Sequence, residues 1–134
     1  MKKYIFIVIF LSIIFPKFAL QKANDKSKFC RNYRSGILEN TCISGHRSII
    51  TRYGSYQIQK YKNFYLKENV KWIDECTYMN TLIETNDPAN SDYIGAHNIV
   101  IMIHVKSDQY QTNENNSLSC VIKKIGEIPS TEKN

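Results

Sequence analysis

The side chains best equipped for chemistry in this sequence are four cysteines (Cys30, Cys42, Cys76 and Cys120), three histidines (His46, His97 and His104) and the adjacent acids Asp74 and Glu75. A structural zinc site gathers its thiolates in close pairs, and the cysteine spacings of 12, 34 and 44 contain no such pair. A cysteine nucleophile needs a base and a local signature, and no such signature surrounds any of the four. His97 and His104 are seven apart, so a regular strand sends them to opposite faces, and His46 has no acidic or histidine neighbour at a useful interval. Asp74 and Glu75 diverge in the same way and make a poor acid–base pair. No catalytic residue, metal or cofactor is expected, and the residue types speak against an enzyme.

The thiols read instead as two disulfides if the chain reaches an oxidising compartment. Residues 1–3 form a short basic start, residues 4–15 are apolar apart from Ser12, and Pro16 ends the run. Twelve apolar residues are too few for a membrane helix, which needs about 20, but they suit the core of a secretory leader. The expected organisation is a signal peptide over 1–21, cut between residues 19 and 23, a polar lead-in over 22–29, one domain over 30–128 and a tail over 129–134. No cysteine directly follows the apolar run, so no lipid anchor is expected. The product belongs in the periplasm or the medium, with no stable membrane span after leader cleavage. Of the three possible pairings of four cysteines, this reading selects none.

Composition bounds the rest. A chain of 134 residues with 43% hydrophobic residues, nine Tyr and six Phe makes one folded domain, and excludes both a large multidomain enzyme and a disordered tail. Losing the leader removes Lys2, Lys3 and Lys17 and halves the formal charge from +6 to +3. Arg52, Tyr53, Tyr56, Lys60, Tyr61, Lys62, Phe64, Tyr65 and Lys67 interleave bases with aromatics, as single-stranded nucleic-acid sites do. The small mature charge and the exported destination argue against nucleic acid as a partner. Asn115, Asn116 and Ser117 match a glycosylation acceptor that matters only in a eukaryotic secretory pathway.

The elements that must position these residues are short, rich in Ile, Val, Thr, Tyr and Phe, and punctuated by Gly, Asn and Asp, which is the pattern of strands joined by tight turns. Strands are expected at 47–53 and 55–61 about Gly54, with a turn at Lys62 and Asn63. Further strands follow at 64–67, 70–75 and 77–85. Turn chemistry occupies 86–91 and a bend or short helical turn 93–95. The run 97–105 is apolar on both faces and reads as a central strand; 110–114 and 118–125 complete the series. About eight strands with connections this short form an antiparallel meander, all-β, either a small lipocalin-like barrel or a strongly curved sheet.

Three segments in order resemble a family of small exported proteins and lipoproteins of the Bacteroidota: Cys30-Arg-Asn-Tyr33-Arg34-Ser35-Gly36; Ile50-Thr-Arg52 with Tyr56-Gln57-Ile58; and Val70-Lys-Trp72-Ile-Asp-Glu75-Cys76-Thr-Tyr78. The likeness runs from Cys30 to about residue 105. It implies an exported all-β domain with no established activity. It also implies that Cys30 pairs with Cys76, the two positions that match the family's own cysteine pair. Cys42 and Cys120 depart from that pattern; they are left to pair with each other, which suits a meander whose first and last strands meet.

Arg34, Arg52, Tyr56, Trp72 and Tyr78 are the candidates for a ligand site or for the core. The bland readings weigh more: the arginines pair with Asp74 and Glu75, Gly36 permits close packing or a bulge, and Trp72 is core. The expected function is a non-catalytic exported binding or interaction module, monomeric, with a small apolar ligand. The alternative is an envelope accessory protein that acts through a protein partner, for instance by strand addition at an unclosed edge.

Overall fold

The computed structural model describes residues 28–114 and 119–129. The expected leader, most of the lead-in, the glycosylation triplet and the tail beyond residue 129 lie outside the described residues. Eight strands follow one another along the chain: β1 Ser35–Cys42, β2 Arg47–Tyr53, β3 Tyr56–Tyr61, β4 Phe64–Trp72, β5 Thr77–Thr85, β6 His97–Ile103, β7 Gln109–Glu114 and β8 Cys120–Gly126. Each pairs antiparallel with its neighbour in sequence, and β1 pairs with β8, so the meander closes into a barrel. Closure leaves no edge strand with unpaired backbone groups.

Alternation along each strand decides what faces inward. In β2, Ser48, Ile50 and Arg52 are buried while Arg47 and Ile49 are exposed. Leu38, Ile50, Val70, Tyr78, Val100, Met102, Tyr110 and Ile122 come from such alternations in seven strands, β2 among them, and meet in one core. Fully burying a Leu, Ile, Val or Met side chain contributes about 1.5–3 kcal/mol. This core fills only the half of the barrel in which β1 begins and β8 ends.

A single helical turn over residues 28–31 plugs that half. Tyr33 just beyond it is wholly buried, packs its ring edge-on against Tyr110 with centroids 4.8 Å apart, and donates its hydroxyl to the Lys106 carbonyl at 2.7 Å. The Cys30–Cys76 disulfide ties the plug to the turn between β4 and β5. Arg31 reinforces the tie through two bonds to Glu75, at 2.7 and 3.0 Å. The second disulfide, Cys42–Cys120, joins directly opposed residues across the β1–β8 seam. Both pairings are those expected from the sequence.

At the other end of the seam Gly36 has φ +132°, and a Cβ there would lie 2.7 Å from Lys124 Cε and 2.9 Å from the Gly126 carbonyl oxygen. A register shift between Ile37 and Leu38 follows it. Gly36 thus allows the close approach and the bulge, as its sequence setting suggested.

Three local expectations change. The segments 64–67 and 70–75 are one strand, β4, because the polar pair Glu68 and Asn69 continues the alternation through a register shift after Lys67. Asp74 and Glu75 therefore sit in the β4–β5 turn, where Asp74 Oδ1 accepts from the Cys76 amide at 2.8 Å. The strand expected at 97–105 ends at Ile103, as His104 takes a positive φ of 48°. Its outer face is apolar but not covered, since Ile99 and Ile101 are exposed; in a closed barrel every strand has two neighbours, and none is central. The expected bend near 93–95 is preceded by a 3-10 helix at Pro88–Tyr93, capped by Asp87, whose side chain accepts from the Ala89 amide.

Candidate functional site

The sequence candidates gather mainly at the plugged end. Arg52 is completely buried. Its Nε donates to Gln57 Oε1 at 2.8 Å, Nη1 to the Tyr33 carbonyl at 3.0 Å and weakly to the Tyr110 hydroxyl at 3.5 Å, and Nη2 to the Tyr78 hydroxyl at 3.0 Å. Burial alone would lower the pKa of this guanidinium, but the Tyr110 and Tyr78 oxygens facing it carry the shift upward, so Arg52 keeps its proton. Burial raises the Tyr78 phenol well above its ordinary range, and that group stays neutral. Arg52 pairs with neither Asp74 nor Glu75, contrary to expectation; its position at an inward site of β2 sends it into the barrel.

Arg34 does pair with Glu75, at 3.4 Å, and lies over the Trp72 ring with its guanidinium carbon 4.8 Å from the centroid. Trp72 is half-buried, packs on Tyr78 at 4.9 Å and donates Nε1 to the Gly54 carbonyl at 3.0 Å. Arg34, Arg52, Trp72 and Tyr78 thus form one closed layer that seals the barrel end. Tyr56 stands apart on the outer surface, stacked on Tyr53 at 4.7 Å.

The opposite end is open. Between the core and the rim lies a cavity of about 520 Å³, within the range of small-molecule sites. Asn40 from β1, Gln59 and Tyr61 from β3, Leu66 and Glu68 from β4, Asn80 from β5 and Asn98 from β6 point into it. Asp87 and Asn90 reach in from the 3-10 helix and its cap, Ser44 and His46 from the β1–β2 turn, and the Cys42–Cys120 bridge forms part of the wall.

The rim is organised about Asp87. Its carboxylate accepts from the Tyr61 hydroxyl, from the Ala89 amide at 2.9 Å and from Asn90 Nδ2 at 2.7 Å. The Tyr61 bond, followed by the Ala89 bond, holds this carboxyl below its ordinary range. Burial, and then the Asp87 carboxylate, push the Tyr61 phenol up to about 12. His46 packs edge-on against Tyr61 at 5.1 Å.

Deeper in the cup, Ser48 Oγ accepts from Gln59 Nε2 at 2.8 Å and from Asn40 Nδ2 at 3.2 Å. Gln57 Nε2 donates to Glu68 Oε2 at 2.6 Å and so connects the cup to the sealed layer.

Of the cup residues, His46 was weighed as a metal ligand, Tyr61 as part of the base–aromatic cluster and Cys42 with Cys120 as a disulfide; the inward amides and acids were not singled out as a site. The signal was present in the strand parity: Asn40, Ser48, Gln57, Gln59, Glu68, Asn80 and Asn98 are polar residues at inward-facing positions. Among the described residues no group of three or more His, Cys, Asp or Glu side chains is placed to hold a metal ion. Among them also, no helix is long and apolar enough to cross a membrane. Comparison with family models, with characterised proteins and with solved structures finds no match to this chain.

Proposed function

We propose that this protein is an exported, non-catalytic binding module that holds a small polar molecule in the open end of its barrel. The observation that carries the reading is the asymmetry of the barrel: one end is sealed by a disulfide-tied plug and a buried Arg–Tyr layer, and the other is a cup of about 520 Å³ lined by side-chain amides, hydroxyls and carboxylates. An apolar ligand, expected from the sequence, would strip water from these groups without replacing their hydrogen bonds, at a cost for each. A polar ligand replaces them.

Export by a cleaved leader agrees with the basic and apolar start of the chain, with the resemblance to exported proteins, and with the two disulfides, which belong to an oxidising compartment. The non-catalytic reading is supported by Asp87, the rim carboxylate, which is engaged by three donors.

The reading as an envelope accessory protein has one observation in its favour, the exposed isoleucines Ile99 and Ile101 on the outer face of β6. Strand addition has no route, because closure leaves no edge.

Ligand-detected NMR against a panel of polar metabolites, with wild type and Asn98→Trp compared, tests the cup. Hits that disappear when the indole fills the cavity, with the thermal midpoint kept, support it. Hits that persist in Asn98→Trp, or a complete absence of hits, count against it.

A further inference from the structure

Most amides of the cup are tied to their neighbours. Asn40 gives its Nδ2 to Ser48, Gln59 gives its Nε2 to the same hydroxyl, and Asn90 gives its Nδ2 to Asp87 and Tyr61. Asn80 and Asn98 are different. Asn80 is only 8% exposed, and its Oδ1 is buried with no hydrogen-bond partner. The side-chain nitrogens of both residues are uncommitted among the described residues.

Strand register brings these two amides together. Asn80 on β5 is directly opposed to Asn98 on β6, so both side chains leave the same face, with Cβ atoms about 5 Å apart. Asn80 lies one inward step beyond Tyr78, and Asn98 one beyond Val100, both of them core residues. The pair therefore stands on the floor of the cup, just above the sealed half, and faces the cavity.

We propose that the cup selects a small neutral molecule bearing a primary carboxamide, which Asn80 and Asn98 hold between them. This rests on the cup being the binding site. A primary carboxamide presents N–H donors and a carbonyl acceptor side by side in one plane, the same pair that each asparagine presents, so the groups meet through reciprocal N–H···O bonds. Its two N–H protons and two carbonyl lone pairs suffice for both asparagines. Turning either asparagine about χ2 exchanges its oxygen and nitrogen and leaves the match intact. A carboxylate offers acceptors alone and an ammonium donors alone, and each leaves half of the pair unmet. The buried unpaired Asn80 oxygen lowers the stability of the empty protein, and a ligand N–H relieves that.

NMR titration of the isotope-labelled, disulfide-intact chain, followed through its side-chain amide resonances, tests this. The probes are nicotinamide, 3-acetylpyridine, in which a methyl group replaces the amide nitrogen, and nicotinate as the carboxylate. Nicotinamide is expected to bind about tenfold or more tighter than either of the others, and to shift the Nδ2 resonances of Asn80 and Asn98. Asn80→Leu, close in volume, removes that preference yet raises the thermal midpoint of the ligand-free protein, a combination that a merely structural asparagine would not give. Equal binding of nicotinamide and 3-acetylpyridine, abolished by Asn98→Trp, overturns the carboxamide assignment and leaves the cup as the site. A preference for nicotinamide that survives in Asn80→Leu or in Asn98→Trp overturns the assignment as well. So does no binding of nicotinamide to the wild type, and the panel of polar metabolites then decides the cup separately.

Discussion

Arg52 and Glu68 are joined through a single amide: Gln57 accepts from Arg52 Nε at 2.8 Å with its oxygen and donates to Glu68 Oε2 at 2.6 Å with its nitrogen. Because a fully buried guanidinium is costly without compensation, the cup carboxylate serves as its counter-charge at one remove. Sealed end and open end therefore share one electrostatic unit. Tyr33, Tyr78 and Tyr110 take the remaining Arg52 bonds, so the fork geometry of the side chain is used as well as its charge.

Arg52→Lys should accordingly fail to rescue what Arg52→Met loses. An ammonium on a flexible stem cannot meet Gln57, the Tyr33 carbonyl and the Tyr78 hydroxyl together, so both variants lose about 3 kcal/mol of unfolding free energy. Urea unfolding measures this. A lysine variant within about 1 kcal/mol of wild type would show that charge alone matters there.

Trp72→Ala should cost about 3 kcal/mol, the low end for a large aromatic because the indole is half-buried. Trp72→Phe keeps much of the packing and forfeits the bond to the Gly54 carbonyl, worth about 1 kcal/mol. An unchanged thermal midpoint in Trp72→Ala would mean that the ring contributes nothing to the seal.

Non-reducing peptide mapping should recover Cys30 with Cys76 and Cys42 with Cys120. Their separations of 46 and 78 residues correspond to about 4 and about 4.5 kcal/mol in the chain-entropy description. Replacing Cys42 and Cys120 together by Ser should lower the thermal midpoint at least as far as replacing the other pair. The reverse order would place more of the stability in the plug than in the seam.

Acid should weaken the fold through two carboxyls. Asp87 is held below its ordinary 3.8 by the Tyr61 hydroxyl and then the Ala89 amide, and Glu75 below its ordinary 4.5 chiefly by its bond to Arg31. For a carboxyl whose folded pKa is depressed, the contribution is present above the unfolded pKa and is lost as pH falls through the folded one. Thermal midpoints should therefore fall below pH 4.5, less steeply in Asp87→Asn and in Glu75→Gln. At the alkaline side the raised Tyr61 phenol stabilises below its ordinary 10 and loses that contribution as pH climbs through about 12. A pH profile of Asp87→Asn identical to wild type would remove Asp87 from this account.

Much of the barrel was legible because local alternation and short connections specify a meander almost completely. The β5 bounds, the β2–β3 hairpin and the Lys62–Asn63 turn follow from residue type alone. The seam was legible only through Cys42 and Cys120, since a β1–β8 pairing leaves no mark in local sequence.

The cup was hidden for a different reason. An inward Asn or Glu in a strand looks like a break in an apolar pattern, so Glu68 fell in the gap between two expected strands, although it continues β4 into the cavity. Arg52 was misplaced by treating it, like Arg34, as an ion-pair partner of Asp74 and Glu75 at a strand end. Parity along the strand would have sent it inward.

The path of the chain through the closed barrel sets how the molecule can be held. β1 leaves the plug at Ser35 and runs toward the rim, and β8 runs back to Gly126, which lies opposite Ile37. With an even number of strands, β1 begins and β8 ends at the same pole, away from the cavity. A tether attached at either end would point the mouth outward, like a vessel standing on its base, so immobilisation and access by solute do not compete for the same surface.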